Sequence, residues 1–316
     1  MNAGDETGVT HPIKRPNPSI SMTRRNPYLP FLMTALAVAL FSLMDALMKH
    51  ASIAMGAYSA LLFRSLLGTA IIVPVWSVTS RGRWPKRDVM RIHILRAFVS
   101  CGMALLFFYG LVRLPIAEAI ALSFIAPLMA LYLAALMLGE RIGSKAVLAS
   151  LLGLAGVLLI SAMRFQNGLP ADQSPKGVVA VLSSAGLYAW NLVLQRKIAQ
   201  LAPPSEVALT QHGITALILL TFAPWHAILP APADLGVLAL AAGLATISLM
   251  LLAWAYARAE AQALVPVDYS GFLWAMLFGW LFFSEQVAIT TLAGGALIVL
   301  GCWIAAPDRE PEQLAL

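Results

Sequence analysis

Long apolar runs alternate with short polar breaks along almost the whole chain. Ten runs of about 20 residues are each long enough for a helix to cross roughly 30 Å of hydrocarbon. The breaks between them carry Pro, Gly or charged residues, as in 81–87 and 202–204. The pattern therefore predicts an all-α integral membrane protein with ten transmembrane helices, at residues 29–50, 58–79, 91–112, 116–138, 145–163, 177–197, 206–224, 235–257, 262–283 and 288–306.

The composition agrees with a membrane protein and excludes several other classes. Of 316 residues, 60% are hydrophobic and only 11% are charged, against about 25% charged in soluble domains. Cys101 and Cys302 both lie inside apolar runs, so we expect neither a disulfide framework nor a cysteine metal site. The net charge of +6 comes from basic residues at the borders of the runs. We therefore expect no nucleic-acid partner, no metal and no cofactor.

Lys and Arg residues are unequally distributed between the two sides of the predicted membrane. With the N-terminus in the cytoplasm, fifteen fall on that side and four on the other, while Arg64 and Arg96 lie inside spans. An excess of positive charge is typical of cytoplasmic loops. We therefore expect both termini in the cytoplasm, with residues 1–28 as a disordered tail and 307–316 as a short C-terminal tail.

The two halves of the chain match weakly when one is shifted by 145 residues. The pairs that coincide are Tyr109 with Trp254, Arg113 with Arg258, Glu140 with Glu285 and Gly156 with Gly301. Each half holds five predicted helices, an odd number, so the second copy must enter the membrane in the opposite direction. The sequence thus predicts two inverted five-helix repeats, 29–163 and 177–306, joined by a periplasmic linker at 164–176. Inverted repeats allow alternating access to a central site, which favours secondary transport.

Two segments resemble the EamA-type members of the drug/metabolite transporter (DMT) superfamily. They are RLPIAEAIALSFIAPLMALYLAALMLGERI (113–142) and ALVPVDYSGFLWAMLFGWLFFSEQV (263–287). The resemblance covers about residues 30–305 and implies a multi-pass carrier in the bacterial cytoplasmic (inner) membrane. It also implies a central cavity built mainly by predicted helices 3, 4, 8 and 9, with helices 1 and 6 beside them. The stretches FSLMDALMKH (41–50) and LLFRSLLG (61–68) look closest to a subgroup associated with S-adenosylmethionine uptake.

Charged side chains inside the apolar spans are the first candidates for a site, because burying them is costly. Asp45 lies one helical turn before Lys49, so the two can neutralise each other. Asp45 can instead pair with Arg64, which lies at a similar predicted depth on the next span, or remain free to titrate. Arg96 either extends to the headgroups or binds a carboxylate or phosphate of the solute.

Asp268 follows Pro266, and no Lys or Arg lies within four residues of it. It is a candidate for binding a solute amine or a proton, with pairing to Arg96 or hydrogen bonding to neighbouring helices as the alternative. Asn191 occupies a place on the sixth span like that of Asp45 on the first. Structural roles are expected for Lys49 and for the helix-end charges Arg113, Glu118, Glu140 and Glu285.

Aromatic and small residues complete the candidates. Aromatic faces attract cations, although membrane-interface belts alone enrich Trp and Tyr. The aromatic residues on the expected cavity helices include Phe107, Phe108 and Tyr188, and the preferred candidates are Tyr109, Trp190, Trp254, Tyr269 and Trp274. Small residues such as Gly153 and Gly301 suit close helix packing within the chain, or in a homodimer.

The predicted function is secondary active transport of a small organic metabolite, by alternating access. An amino acid or an S-adenosylmethionine-like zwitterion or cation is the expected solute, with proton coupling or exchange. The alternatives are a carrier of another metabolite such as riboflavin and an exporter of toxic metabolites. An intramembrane enzyme or a sensor subunit is a further alternative. No GxxxxGK[ST] or GxSxG motif occurs, so we do not expect an enzyme.

Overall fold

The described part of the chain is built from helices. In the computed structural model, residues 28–114, 116–123, 125–138, 143–166 and 175–284 are described, together with scattered positions between 293 and 304. The helices are α1 (Tyr28–Thr79), α2 (Arg87–Leu111), α3 (Ile116–Ser123), α4 (Ile125–Leu138), α5 (Ser144–Gln166), α6 (Pro175–Ala199), α7 (Pro204–Leu220), α8 (Ala223–His226), α9 (Pro232–Tyr256), α10 (Ala261–Leu264) and α11 (Ser270–Phe283), with a 3-10 turn (Val265–Tyr269) before α11. The prediction of an all-α protein is confirmed.

These helices account for predicted spans 1 to 9. Among the described residues, five helical segments are long and apolar enough to cross a membrane. The tenth predicted span, 288–306, lies largely outside the described residues. Glu140, Glu285 and the side chain of Glu118 also lie outside them. The segments that can cross are Tyr28–Thr79, Arg87–Leu111, Pro175–Ala199, Pro232–Tyr256 and Val265–Phe283.

Helix α1 contains the first two predicted spans. Its 52 residues would extend about 78 Å if straight, at 1.5 Å per residue. Gly56 interrupts the helix with φ 82° and ψ 152°, a conformation that favours glycine because it has no Cβ. A side-chain contact between Arg64 and Met44 joins the two arms, 28–55 and 57–79. The arms therefore pack side by side, and the chain turns at Gly56 without a separate loop.

The two halves of the chain interlock. Helix α2 packs on α6, and its repeat counterpart α9 packs on α1; in the same way α4 packs on α6 and α11 packs on α1. Exchanging the two halves turns the α2–α6 contact into the α9–α1 contact. It likewise turns the α4–α6 contact into the α11–α1 contact. The central packing therefore follows the predicted duplication.

The ends of α2 and α9 give a residue-level match between the repeats. The Arg113 guanidinium donates to the carbonyl oxygen of Tyr109 at 2.7 Å, and its Cζ lies 3.5 Å from the centre of the Tyr109 ring. Arg258 donates to the carbonyl oxygen of Trp254 at 2.9 Å, with its Cζ 4.1 Å from that ring. The same arginine–aromatic contact thus follows both helices, at positions 145 residues apart.

The ninth span changes its helical geometry near its start. The 3-10 turn Val265–Tyr269 lies between α10 and α11 and contains Pro266, whose ring removes a backbone donor. A Cβ placed on Gly153 of α5 would lie 2.6 Å from the Tyr269 ring, and one on Gly301 would lie 2.7 Å from the carbonyl oxygen of Ala149. These small residues serve close packing within the chain, and they fix the turn that carries Asp268.

Close packing between α2 and α6 generates a stability prediction. A Cβ on Gly110 would lie 2.4 Å from Val181 and 3.0 Å from the carbonyl oxygen of Gly177. We expect Gly110→Ala to destabilise the protein by roughly 1–3 kcal/mol, because neither contact can yield without moving a helix. Thermal unfolding of the detergent-solubilised protein measures the change.

Gly243→Ala on α9 is the matched control, because no atom lies within 4 Å of its added Cβ. We expect it to leave stability unchanged or slightly raised, since alanine favours a helix over glycine. Equal unfolding midpoints for Gly110→Ala, Gly243→Ala and the unchanged protein would contradict the packing described here.

Candidate functional site

A buried cavity of about 220 Å³ lies where the two halves meet. Helices α1, α2 and α3 line it from the first half, and α6, α7, α9, the 3-10 turn and α11 line it from the second. The contribution of α9 is apolar. The polar side chains of the lining are Ser42, Asp45, Arg64, Arg96, Ser100, Ser123, Ser184, Tyr188, Asn191, Gln195, Gln211 and Asp268.

Asp268 reaches the cavity from the 3-10 turn. Its side chain is buried, at 6% exposed, and the Tyr188 hydroxyl donates to its Oδ2 at 2.9 Å. Among the described residues, no Lys or Arg lies within 4.0 Å of its carboxyl oxygens, so the alternative of a direct pair with Arg96 is not realised. The carboxyl group thus has a neutral partner and a remaining surface that faces the cavity.

Asp45 and Arg64 lie on the two arms of α1 and interact electrostatically. In the described part of the chain no ion pair within 4.0 Å joins them. Arg64 instead places Nη1 3.2 Å from the sulfur of Met44 and its Cζ 5.8 Å from the centre of the Phe108 ring. Both charged side chains therefore line the cavity without forming an ion pair across it.

Lys49 has a structural position. Its ammonium donates to the carbonyl oxygen of Leu114 at 3.0 Å and lies 5.1 Å from the centre of the Phe283 ring. It makes no ion pair within 4.0 Å with Asp45, both being among the described residues. The possible neutralisation of Asp45 by Lys49 is therefore not observed.

Arg96 is the most isolated charge in the described part of the cavity. It is 2% exposed, which excludes extension of its side chain to the headgroups. Within the described residues its Nε has no hydrogen-bond partner. The same holds for both amide atoms of Gln195, for Oδ1 of Asn191 and for Oε1 of Gln211. Buried groups of this kind normally have partners. All four side chains line the cavity, so a ligand or water in the cavity can become their partner once the side chains turn towards it.

The cavity is lined by charged groups of both signs. Asp45 and Asp268 are acidic, and Arg64 and Arg96 are basic. Asp45 and Arg64 are close enough to interact electrostatically. The lining therefore offers partners for both charges of a zwitterion.

His212 does not line the cavity itself. Its Nε2 lies 3.1 Å from the Thr246 hydroxyl, and its ring fills the space beside Gly68, where an added Cβ would lie 2.7 Å from Nδ1. This histidine has a packing role between α1, α7 and α9.

The preferred aromatic candidates lie away from the cavity lining. Tyr109 and Trp254 contact the arginines after α2 and α9, and Tyr269 packs on Gly153. Trp190 and Trp274 are 37% and 36% exposed. The aromatic side chains that do line the cavity are Phe41, Phe107, Phe108 and Tyr188.

Sequence reasoning placed Gln195 beside Asn191 on the sixth span but did not prefer it as a site residue, and it did not name Gln211. Gln211 carries the same signal as Asn191, a polar side chain within an apolar span, so that rule could have identified it. Tyr188 belonged to the wider aromatic group, but only the fold brings its hydroxyl to Asp268.

A second buried polar cluster joins α2 to α7 outside the cavity. His93 Nε2 lies 3.1 Å from Glu206 Oε1, and the Thr210 hydroxyl lies 2.8 Å from His93 Nδ1. His93, Glu206 and Thr210 thus satisfy one another, unlike the charged groups of the cavity. Separately, the buried Arg196 of α6 donates to the carbonyl oxygen of Tyr256 at the end of α9.

Comparison with known proteins identifies related transporters. The EamA-like transporter family model matches residues 29–162 and 175–306. The pseudopaline exporter CntI of Pseudomonas aeruginosa (strain UCBPP-PA14) is 28% identical over 274 residues, which cover 86% of this chain and 93% of that protein. An uncharacterized transporter of Helicobacter pylori (strain J99) is 25% identical, over 89% of this chain and 95% of that protein.

A solved crystal structure also has this fold. It superimposes with a TM-score of 0.70 at 22% identity, and the match covers 87% of this chain and 96% of that chain. At this identity the likeness shows the fold alone. None of these matches confirms the expected relation to S-adenosylmethionine uptake carriers.

The positions of Asp45 and Arg96 predict how fast nearby cysteines react with charged reagents. Ser42 lies one turn before Asp45, and Ser100 lies one turn after Arg96, and both line the cavity. In a background with Cys101→Ala and Cys302→Ala, we expect Ser42→Cys to react faster with an ammonium-bearing methanethiosulfonate. Ser100→Cys should react faster with the sulfonate-bearing reagent. A preference of about tenfold is expected in each case, because fixed charges concentrate the opposite ion.

Reaction rates in lipid vesicles measure the preference. Ser248→Cys is the control, because Ser248 is fully buried and does not line the cavity. Equal reagent preferences at the two cavity positions, or no reaction at either, would contradict a water-accessible cavity with separated charges.

Proposed function

We propose that this chain, which belongs to the EamA-like transporter family, is a secondary transporter that carries a small zwitterionic or cationic metabolite through the cavity by alternating access. The observation that carries the proposal is the cavity itself. It is lined by carboxyl and guanidinium groups that form no ion pair within 4.0 Å among the described residues. A solute with charges of both signs supplies the missing partners.

The size of the cavity favours a small solute. Its volume of about 220 Å³ lies below the roughly 300–1,000 Å³ of pockets for drug-sized ligands. An amino acid fits this space, whereas a larger metabolite such as riboflavin requires the helices to move apart. The preferred substrate class is therefore an amino acid or a similar amphoteric metabolite.

The carboxyl groups also provide a means of coupling. Asp45 and Asp268 lie in the cavity without an ion pair within 4.0 Å among the described residues. Each can bind a proton when the solute is absent and compensate a positive group when it is present. We infer proton coupling, with exchange of solutes as the alternative. The positions of Lys and Arg support an inner-membrane location with both termini in the cytoplasm.

Export is the second candidate direction of transport. It is supported by the similarity to the pseudopaline exporter of Pseudomonas aeruginosa. Transport of an S-adenosylmethionine-like solute is also a candidate because that solute carries groups of both signs, but like riboflavin it requires the helices to move apart. The non-transport alternatives, an enzyme or a sensor subunit, draw no support from the named relatives, which are transporters.

Reconstituted protein tests the proposal. Proteoliposomes are loaded or surrounded with labelled amino acids, S-adenosylmethionine or riboflavin, so that both directions are measured. We expect saturable flux of an amphoteric solute, increased by a proton gradient. Binding without flux would contradict transport, and chemical conversion of the solute without flux would favour an enzyme.

Asp268 provides the sharpest single test of the site. Asp268→Asn keeps the size of the side chain and an oxygen that accepts from Tyr188, but removes the charge. We expect flux to fall at least about tenfold, because a charge-assisted hydrogen bond to the solute or proton is lost. Flux of the solute found in the screen, measured between about pH 5.5 and 8, checks this expectation.

Asp88→Asn is the matched control, because Asp88 is exposed at the start of α2. We expect normal flux from it, and equal amounts of both variants in the membrane. Unchanged flux and an unchanged pH profile for Asp268→Asn would remove Asp268 from the mechanism.

A further inference from the structure

We propose that Arg96, Gln195 and Gln211 form a subsite for a carboxylate group of the solute. The inference rests on the proposed transport function, and it assigns a ligand group to one end of the same cavity. It predicts that the solute must carry a carboxylate, whatever its other groups.

The Arg96 guanidinium is buried and needs an anionic partner that the described residues do not supply. Among the described residues no carboxyl group lies within 4.0 Å of it. Glu206 contacts His93, Asp268 accepts from Tyr188, and Asp45 is close enough to Arg64 to interact with it electrostatically. Arg96 lines the cavity with an unsatisfied Nε. Because a guanidinium presents several N–H donors in one plane, a carboxylate is its best geometric match.

Two glutamines line the same cavity as Arg96. Gln195 is 2% exposed, and neither its amide nitrogen nor its amide oxygen has a hydrogen-bond partner in the described part of the chain. Its N–H groups can donate to the second carboxylate oxygen when the side chain turns towards the cavity. Gln211 donates from Nε2 to the Thr215 hydroxyl at 3.1 Å, so it can contribute only the second hydrogen of that amide nitrogen.

The positions of these residues along their helices place them together. Arg96 lies nine residues after the start of α2, Gln195 four residues before the end of α6, and Gln211 seven residues after the start of α7. The end of α6 and the start of α7 are joined by only four residues, 200–203, and α2 packs on both helices. The three side chains therefore reach the same cavity from neighbouring helices.

Asp268 is separate from this subsite. Tyr188, which holds Asp268, lies seven residues before Gln195 on the same helix. The separation is about 10 Å along α6, at 1.5 Å per residue. A solute carboxylate at Arg96 thus leaves a positive group on the same molecule free to approach Asp268. Neutral amides beside a single guanidinium suit one negative charge better than a phosphate dianion.

Matched pairs of probes test the requirement for a carboxylate. The pairs are L-lysine with cadaverine, and S-adenosylmethionine with its decarboxylated form. Binding to the full-length protein in lipid nanodiscs is measured by the rise in unfolding temperature as probe is added. We expect the carboxylated member of at least one pair to bind roughly 10–100-fold more tightly. Arg96→Gln should remove most of that preference, and Gln195→Leu should reduce it by about three- to tenfold.

Arg91→Gln is the matched control on the same helix, because Arg91 is exposed and contacts only Asp88 in the described residues, at 3.9 Å. It should keep the full preference. Arg96→Lys, which retains charge but loses the planar fork, should give an intermediate preference and keeps the test valid if Arg96→Gln does not fold.

The outcomes separate this inference from the transport proposal. Equal binding of both members of each pair, or a preference that survives in both Arg96 variants, would overturn the carboxylate subsite while leaving transport intact. Failure of all four probes to bind would overturn the subsite together with the amphoteric substrate class. Flux of an uncharged solute that still binds to the Arg96→Gln variant would overturn both the subsite and the substrate class. It would support only the function as a carrier.

Discussion

The cost of burying unpaired charge constrains the whole structure. An Arg or Asp at the centre of a transmembrane helix costs about 2.5–3.5 kcal/mol even on the most permissive scale. This chain keeps Asp45, Arg64, Arg96 and Asp268 among apolar spans, and none of them forms an ion pair within 4.0 Å in the part that the structure describes. Only a polar cavity makes that arrangement tolerable. The fold is therefore best understood as an enclosure for these groups.

The duplicated architecture builds that enclosure from tightly packed helices. Gly56 turns α1 back on itself, and Gly110 brings α2 close to α6. The 3-10 turn that contains Pro266 places Asp268 at the cavity, where it accepts a hydrogen bond from Tyr188 of α6. The halves differ in chemistry, however. The first half supplies three of the charges, while the second supplies three amides and Asp268, so the site is asymmetric within a symmetric frame.

The sequence predicts the fold and part of the site because some signals are local. Span length and apolar composition predict the helices, and a 145-residue shift predicts the matching contacts of Arg113 and Arg258. A charge or amide inside an apolar span marks Asp45, Arg64, Arg96, Asn191 and Asp268 as cavity residues. Other features are not local. Aromatic residues serve lipid, packing and solute equally well, so Trp190 and Trp274 could not be separated from Tyr188. The partners His93 and Glu206 lie 113 residues apart, and no short motif encodes their contact.

The central claim is that the charged groups of the cavity are hydrated by water or bound to solute, and that they do not form ion pairs with one another. The most direct measurement is a cryo-EM structure of the protein in lipid nanodiscs at a resolution that shows ordered water. The account predicts water or solute density bonded to the Arg96 guanidinium and the Gln195 amide, with Asp45 and Asp268 facing the same density. A collapsed cavity with Arg96 paired directly to either carboxylate, or a cavity filled by a lipid acyl chain, would contradict it.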